Sequence, residues 1–182
     1  YKIIEGACYS LLETPDPSLR NYVDSLVTLI AAAQEDDGYL YTTRTIDPVN
    51  MAPGAGRERW TDERVSHELY NVGHMYEAAV AHYMATGSTM FLDVALKNAE
   101  LIASEFGWGL REVAPGHQEI ETGLIRLYEL TGNSQWVELA RFFIDVRGRQ
   151  EEYMRHPAGS RFEVYNDSVY LQMHLPVLEQ KE

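Results

Sequence analysis

His67, Asn71, His74 and Glu77 stand four, three and three residues apart, so on a helix they share one face. At 1.5 Å per residue they make a ladder of hydrogen-bonding groups about 15 Å long. A face built only for solvation favours Lys and Glu over imidazole. Two histidines in such a row can hold a polar ligand or trade protons with it, and the alternative is a pair of satisfied core or surface histidines. A second constellation, Pro115-Gly116-His117-Gln118-Glu119-Ile120-Glu121, sets a histidine and two acids where a new helix begins. Acids there complement the helix dipole in any protein, and His117 can equally be a turn residue.

Several chemistries are open to these types. His67-Glu68 begins like a zinc-protease helix, but the next histidine comes seven residues later instead of four, about 10 Å along the axis, which is too far for one ion. That motif is rejected. Pairs of carboxylates for acid and base work can be drawn from Glu68, Glu77, Glu119 and Glu121, although the sequence leaves their separation open. Cys8 is the sole cysteine. Its neighbours in Glu5-Gly6-Ala7-Cys8-Tyr9 favour a buried inert thiol, and one cysteine makes neither an internal disulfide nor a cysteine-pair zinc site. The sequence contains no glycine-rich phosphate motif and no nucleophile elbow.

The elements that must position these groups are helical. Leu69, Val72, Tyr76, Ala79 and Tyr83 form an apolar stripe that predicts a helix over 59–87, with Thr61 or Ser66 as its cap and His67 near its positive end. Residues 3–13 carry a helical pattern that stops at Thr14-Pro15-Asp16-Pro17. A second helix is predicted over 18–34, burying Leu19, Tyr22, Val23, Leu26, Leu29 and Ile30, and Asp36-Asp37-Gly38 ends it. Residues 39–58 contain Pro48, Pro53 and two glycines without periodicity, as a long functional loop does.

An internal repeat sets the architecture. Tyr83-x-x-Thr86-Gly87-x-x-x-Phe91-Leu92-Asp93-x-Ala95 returns as Tyr128-x-x-Thr131-Gly132-x-x-x-Trp136-Val137-Glu138-x-Ala140. Each copy reads as a helix, a Thr-Gly stop and a second helix, with glycine supplying the left-handed residue that ends the first. Leu11, Thr14 and Leu19 form a weaker copy with proline in the glycine's place. Helical hairpins repeated at this period must stack, either as an open solenoid or as a closed α/α toroid. Closure gathers the inner helices around a cavity, onto which His67 and His117 would both open. The segment after Gly148 is less regular, and Arg161-Phe162-Glu163-Val164-Tyr165 reads as a short strand or extended loop.

Composition excludes some partners. Fifteen basic against 28 acidic residues give a net charge of −13, which repels nucleic-acid backbones and anionic lipid, and no stretch has the apolar run of a membrane span. At 182 residues the chain can bury a sizeable core. Tyr1 at the start and Leu178-Glu179-Gln180-Lys181-Glu182 at the end read as a segment of a longer protein. Neither compartment nor oligomeric state is legible, although apolar faces left open at the ends of a hairpin stack favour self-association into homo-oligomers.

Taken in order, Glu5-Gly6-Ala7, Asp37-Gly38-Tyr39-Leu40, Ser66-His67-Glu68-Leu69-Tyr70, Gly73-His74, Glu77-Ala78-Ala79, Ala81-His82-Tyr83, Pro115 to Glu121, Ala140-Arg141-Phe142-Phe143 and His174-Leu175-Pro176-Val177 resemble glycoside hydrolase family 127, the β-L-arabinofuranosidases. The resemblance implies an all-α fold in which the helical hairpins of residues 1–182 form part of a single (α/α)6-barrel catalytic domain. It implies a carbohydrate substrate, with His67 and His117, and with them His74, Glu68 and Glu119, contributing to the sugar pocket. It also implies zinc, holding a cysteine thiolate as nucleophile, with a glutamate as acid/base. No residue of this chain matches those cysteines or that glutamate, so no catalytic and no metal-ligating role is carried onto it. Asn71 stands where relatives often have cysteine. A sugar epimerase on an α/α barrel, using paired histidines as acid and base, and a non-catalytic repeat scaffold are the competing readings.

Overall fold

A computed structural model describes residues 1–52, 54–149, 158–160 and 163. The expected extended stretch at 161–165, the helical start at 178–182 and the His174 motif fall outside the described residues, with only Glu163 among them placed. Within the described residues no β-strand forms; a single bridge pairs Phe106 with Arg111.

The first hairpin joins α1 (Lys2–Glu13) to α2 (Pro17–Ala33). Asp16 caps α2 by accepting from the N–H groups of Ser18 and Leu19 at 2.9 and 3.1 Å, and Pro17 occupies a first-turn position whose N–H would have no partner in any case. A four-residue helix, α3 (Thr42–Thr45), interrupts the expected loop, and another, α4 (Glu63–Ser66), precedes the long α5 (Glu68–Thr86). The second hairpin pairs α5 with α6 (Met90–Glu105), and the third pairs α7 (Ile120–Thr131) with α8 (Gln135–Arg147).

The two Thr-Gly stops are the same device atom for atom. Gly87 and Gly132 have φ of 71° and 70°, and their N–H groups donate to the carbonyls of Tyr83 and Tyr128, each at 2.8 Å. The hydroxyls of Thr86 and Thr131 donate back to His82 and Leu127 at 2.7 Å, and accept from the N–H of Ser88 and Asn133. Only a left-handed residue lets the chain leave the helix while keeping that bond, which is why glycine recurs there. The first hairpin does without it: Thr14 is extended, with φ of −140°, and its N–H bonds Ser10.

The hairpins stand side by side. In one layer α1 packs on α5 and α5 on α7; in the other, α2 packs on α6 and α6 on α8. This layering is the hairpin order of a helical barrel. As the middle helix of its layer, α5 buries far more than a stripe, including Leu69, Val72, Met75, Tyr76, Ala78, Ala79, Val80 and Ala81. The α2 stripe is correspondingly narrower than expected. Val23 and Val27 are buried, but Tyr22 and Leu29 are 62% and 67% exposed, because α2 packs chiefly against α1 and α6 and turns its remaining apolar side outward.

The connection from 39 to 67 is ordered by polar bonds in place of periodicity. Tyr39, Leu40, Tyr41 and Trp60 enter the core, and the Arg44 guanidinium donates to the carbonyls of Ala55, Gly56, Arg57 and Glu58 at 2.6 to 3.0 Å. Arg59 pairs with Glu35 and Asp37 and lies over the Tyr39 ring. No helix among the described residues is long and apolar enough to cross a membrane.

Candidate functional site

The helix carrying the histidine ladder does not run through residue 67. His67 is left-handed, with φ of 61° and ψ of 21°, and separates α4 from α5, so neither Thr61 nor Ser66 starts one continuous helix. The cause lies in two buried acids. Glu63 sends its carboxylate forward to accept from the N–H of Leu69 at 3.3 Å, satisfying a donor in the first turn of α5, while the Ser66 hydroxyl accepts more weakly from Glu68. Glu68 turns the other way and accepts from the Trp60 N–H at 3.2 and 3.3 Å and from the Tyr39 hydroxyl. Burial next to Glu68 pushes the Glu63 carboxyl well above the ordinary range.

His67 is thereby lifted off the helix and stays exposed. Its Nδ1 lies 2.7 Å from the Val65 carbonyl, which can only accept, so Nδ1 carries a proton, and in the neutral tautomer that this bond selects Nε2 presents a lone pair. The His117 ring stands 5.2 Å away, centroid to centroid. Tyr70 completes the group, 5.4 Å from His117, 5.6 Å from His67 and 4.7 Å from His74. Its hydroxyl accepts from the Lys2 ammonium on α1 at 2.7 Å. Sequence reasoning placed His67 and His117 on one cavity but missed Tyr70 and Lys2. Tyr70 sits three residues after His67, a spacing that could have shown it.

His74 lies deeper, between α5 and α7. Its Nδ1 is 2.6 Å from Glu119 Oε1 and 3.5 Å from Glu77 Oε2. The closer contact lacks hydrogen-bond alignment: both His74 ring nitrogens and Glu119 Oε1 are buried with no hydrogen-bond partner. Burial, then the Lys2 charge, lowers the His74 pKa, whereas burial and the neighbouring Glu77 push Glu119 up to about 8. Both directions favour an acid facing a neutral imidazole over an ion pair. Donor atoms of His74, Glu77 and Glu119 all lie within 4.8 Å of one another, an N,O,O set of the type that suits a divalent cation.

Of the five residues proposed from the sequence, the structure brings four into one region: His67 and His117 at its open side, His74 and Glu119 beneath. Glu68 belongs elsewhere. It is 3% exposed and its partners are Tyr39 and Trp60, so it orders the 39–60 connection in place of facing a ligand. Asn71 shares the ladder by spacing, but its side chain joins none of these contacts. A thiolate zinc site does not fit these residues. Cys8 is fully buried in α1, and burial raises its thiol to about 11, while the convergent donors nearby carry no sulfur.

Comparisons with known proteins agree on one family. The family model "Beta-L-arabinofuranosidase, GH127 catalytic domain" matches residues 1–182. A non-reducing end β-L-arabinofuranosidase of Bifidobacterium longum subsp. longum is 42% identical over 157 residues, covering 84% of this chain and 23% of the relative. A solved family 127 β-arabinofuranosidase superposes with a TM-score of 0.84 at 46% identity, over all of this chain and 27% of that one. A family 127 β-L-arabinofuranosidase from Geobacillus stearothermophilus T6 does so at 0.81 and 40% identity, covering 98% of this chain and 28% of that one. The chain spans about a quarter of the length of these relatives.

Proposed function

The chain belongs to glycoside hydrolase family 127, and from that premise we propose that it forms the sugar-holding wall of a β-L-arabinofuranosidase. The observation that carries this reading is the meeting of His67 and His117. They lie fifty residues apart in sequence and 5.2 Å apart in space, flanked by Tyr70, with the His67 Nε2 lone pair available to a hydroxyl donor. Imidazole acceptors beside an aromatic ring suit a furanose, which offers hydroxyls at its rim and C–H groups on its faces.

The chain's own residues bind and orient. His67 accepts from a sugar hydroxyl through Nε2, His117 contacts the same ring from the α7 side, and Tyr70 walls the space between them. Lys2 holds the Tyr70 hydroxyl in place. The proton on Glu119 keeps the layer beneath free of an additional negative charge. Cleavage itself is assigned to groups that this chain does not supply. Zinc, if this enzyme uses the thiolate chemistry that the resemblance implies, would act through cysteines other than Cys8.

The test is release of nitrophenol from an aryl β-L-arabinofuranoside by the complete enzyme, set against interconversion of free sugars. Turnover of the glycoside with none of the free sugars supports the proposal. Interconversion without hydrolysis would replace it with an epimerase.

A further inference from the structure

Arg147 ends α8, in the outer layer, where a basic residue would ordinarily reach solvent or its own helix's last carbonyls. It does neither. The residue is 6% exposed and directs its Nη2 inward to the carbonyl of Pro115, at 2.7 Å. The same atom stands 3.9 Å from Glu121 Oε1, with the Glu121 carboxyl itself buried. Glu121 Oε2 in turn accepts from the N–H of Glu119 at 2.9 Å. A buried guanidinium therefore bonds one end of the turn 115–119 directly and faces the other through the charge of Glu121, at ion-pair and not hydrogen-bond distance. On that turn sit His117 and Glu119. Its other support is a close backbone seam: the Gly116 N–H donates to Glu63 at 3.0 Å, and a Cβ there would fall 2.1 Å from the Arg64 carbonyl oxygen.

Burying a guanidinium is costly unless its partners are well placed, and surface alternatives were open to a residue at a helix end. We propose that Arg147 is a positioning residue of the sugar pocket, fixing through Pro115 and Glu121 the turn that sets His117 opposite His67. It touches no sugar. Its charge also acts on the imidazole it positions, since Arg147 follows burial and His67 among the causes that lower the His117 pKa.

This inference rests on the sugar-pocket reading, and a double-mutant cycle separates the two. In the complete enzyme, Arg147→Met is expected to raise KM for an aryl β-L-arabinofuranoside at least fivefold with a smaller change in kcat, and Arg147→Lys to restore the larger part. In a His117→Ala background, the same Arg147→Met change is expected to cost less than twofold, because the group it positions is gone. Glu121→Gln, which keeps an acceptor for the Glu119 N–H but removes the charge pair, supplies the same cycle if Arg147→Met does not fold. Equal fold losses in both backgrounds would overturn the positioning role and leave the pocket intact. A His117→Ala variant with unchanged kinetics would overturn the pocket reading, and the inference with it.

Discussion

Gly73 on α5 and Gly123 on α7 meet backbone to backbone: a Cβ on Gly123 would lie 2.4 Å from the Gly73 carbonyl oxygen, and one on Gly73 would lie 2.6 Å from the Glu119 carbonyl carbon. No side chain separates the helices here. Glu119 consequently reaches His74, and His117 is drawn in beside His67.

Gly123→Ala sets two effects against each other. Alanine gains up to about 1 kcal/mol of helix propensity over glycine, while forcing a methyl into a closed contact costs about 1 to 3 kcal/mol. The obstructing atom is backbone, which cannot turn aside, so the second effect wins. A net destabilisation is expected in chemical denaturation, together with weakened substrate binding as α7 shifts. Unchanged or increased stability would show that the helices can part at no cost.

His67→Ala removes an acceptor from a buried sugar hydroxyl and should lower kcat/KM by about 1 to 3 kcal/mol in the complete enzyme, without a matching loss of stability. His74→Ala should cost less kinetically and more structurally, because His74 lies below the pocket against Glu77 and Glu119. The paired measurements are steady-state kinetics and thermal melting of both variants. Equal kinetic losses with unchanged melting would place His74 on the sugar itself.

What the sequence made legible depended on local causes. A Thr-Gly stop acts within four residues, so Thr86-Gly87 and Thr131-Gly132 revealed the hairpins and hence the layered fold. The break at His67 was not legible, since it results from Glu63 and Glu68 reaching Leu69, Trp60 and Tyr39, the last of them 29 residues away. Glu68 misled for the same reason: an acid in a helix's first turn looks alike whether it faces a ligand or a buried loop. Spacing alone also placed Tyr22 and Leu29 inside, because it does not record how many neighbours a helix has.

The Glu119 proton gives the protein a pH-dependent stability with a definite sign. Its carboxyl holds a proton up to about 8 when folded, against 4.5 for the unperturbed group, so between those values the folded state binds more protons than the unfolded state. Stability from this group is fully present below about pH 4.5 and is lost as pH rises through 8. Glu119→Gln, neutral throughout, should flatten the decline in unfolding free energy across that window. An identical slope in the variant would mean that another acid, such as Glu63, carries the dependence.

The last prediction concerns metal and turnover in residues 1–182 alone. A catalytic zinc takes about three protein ligands plus an open position, and the thiolate chemistry implied by the family needs exposed sulfur, whereas Cys8 is buried in α1. Among the described residues His74, Glu77 and Glu119 are the convergent donors, but a carboxyl that keeps its proton to about 8 must release it before binding a cation. Metal affinity at neutral pH should therefore be weak, should increase toward pH 8 and above, and should vanish in His74→Ala. The purified chain is expected to retain no stoichiometric zinc after dialysis and to release no nitrophenol from an aryl β-L-arabinofuranoside. Stoichiometric zinc that survives dialysis in the parent and disappears in His74→Ala would make the triad a true metal centre. Turnover accompanying that zinc would place the catalytic chemistry on nitrogen and oxygen ligands between α5 and α7.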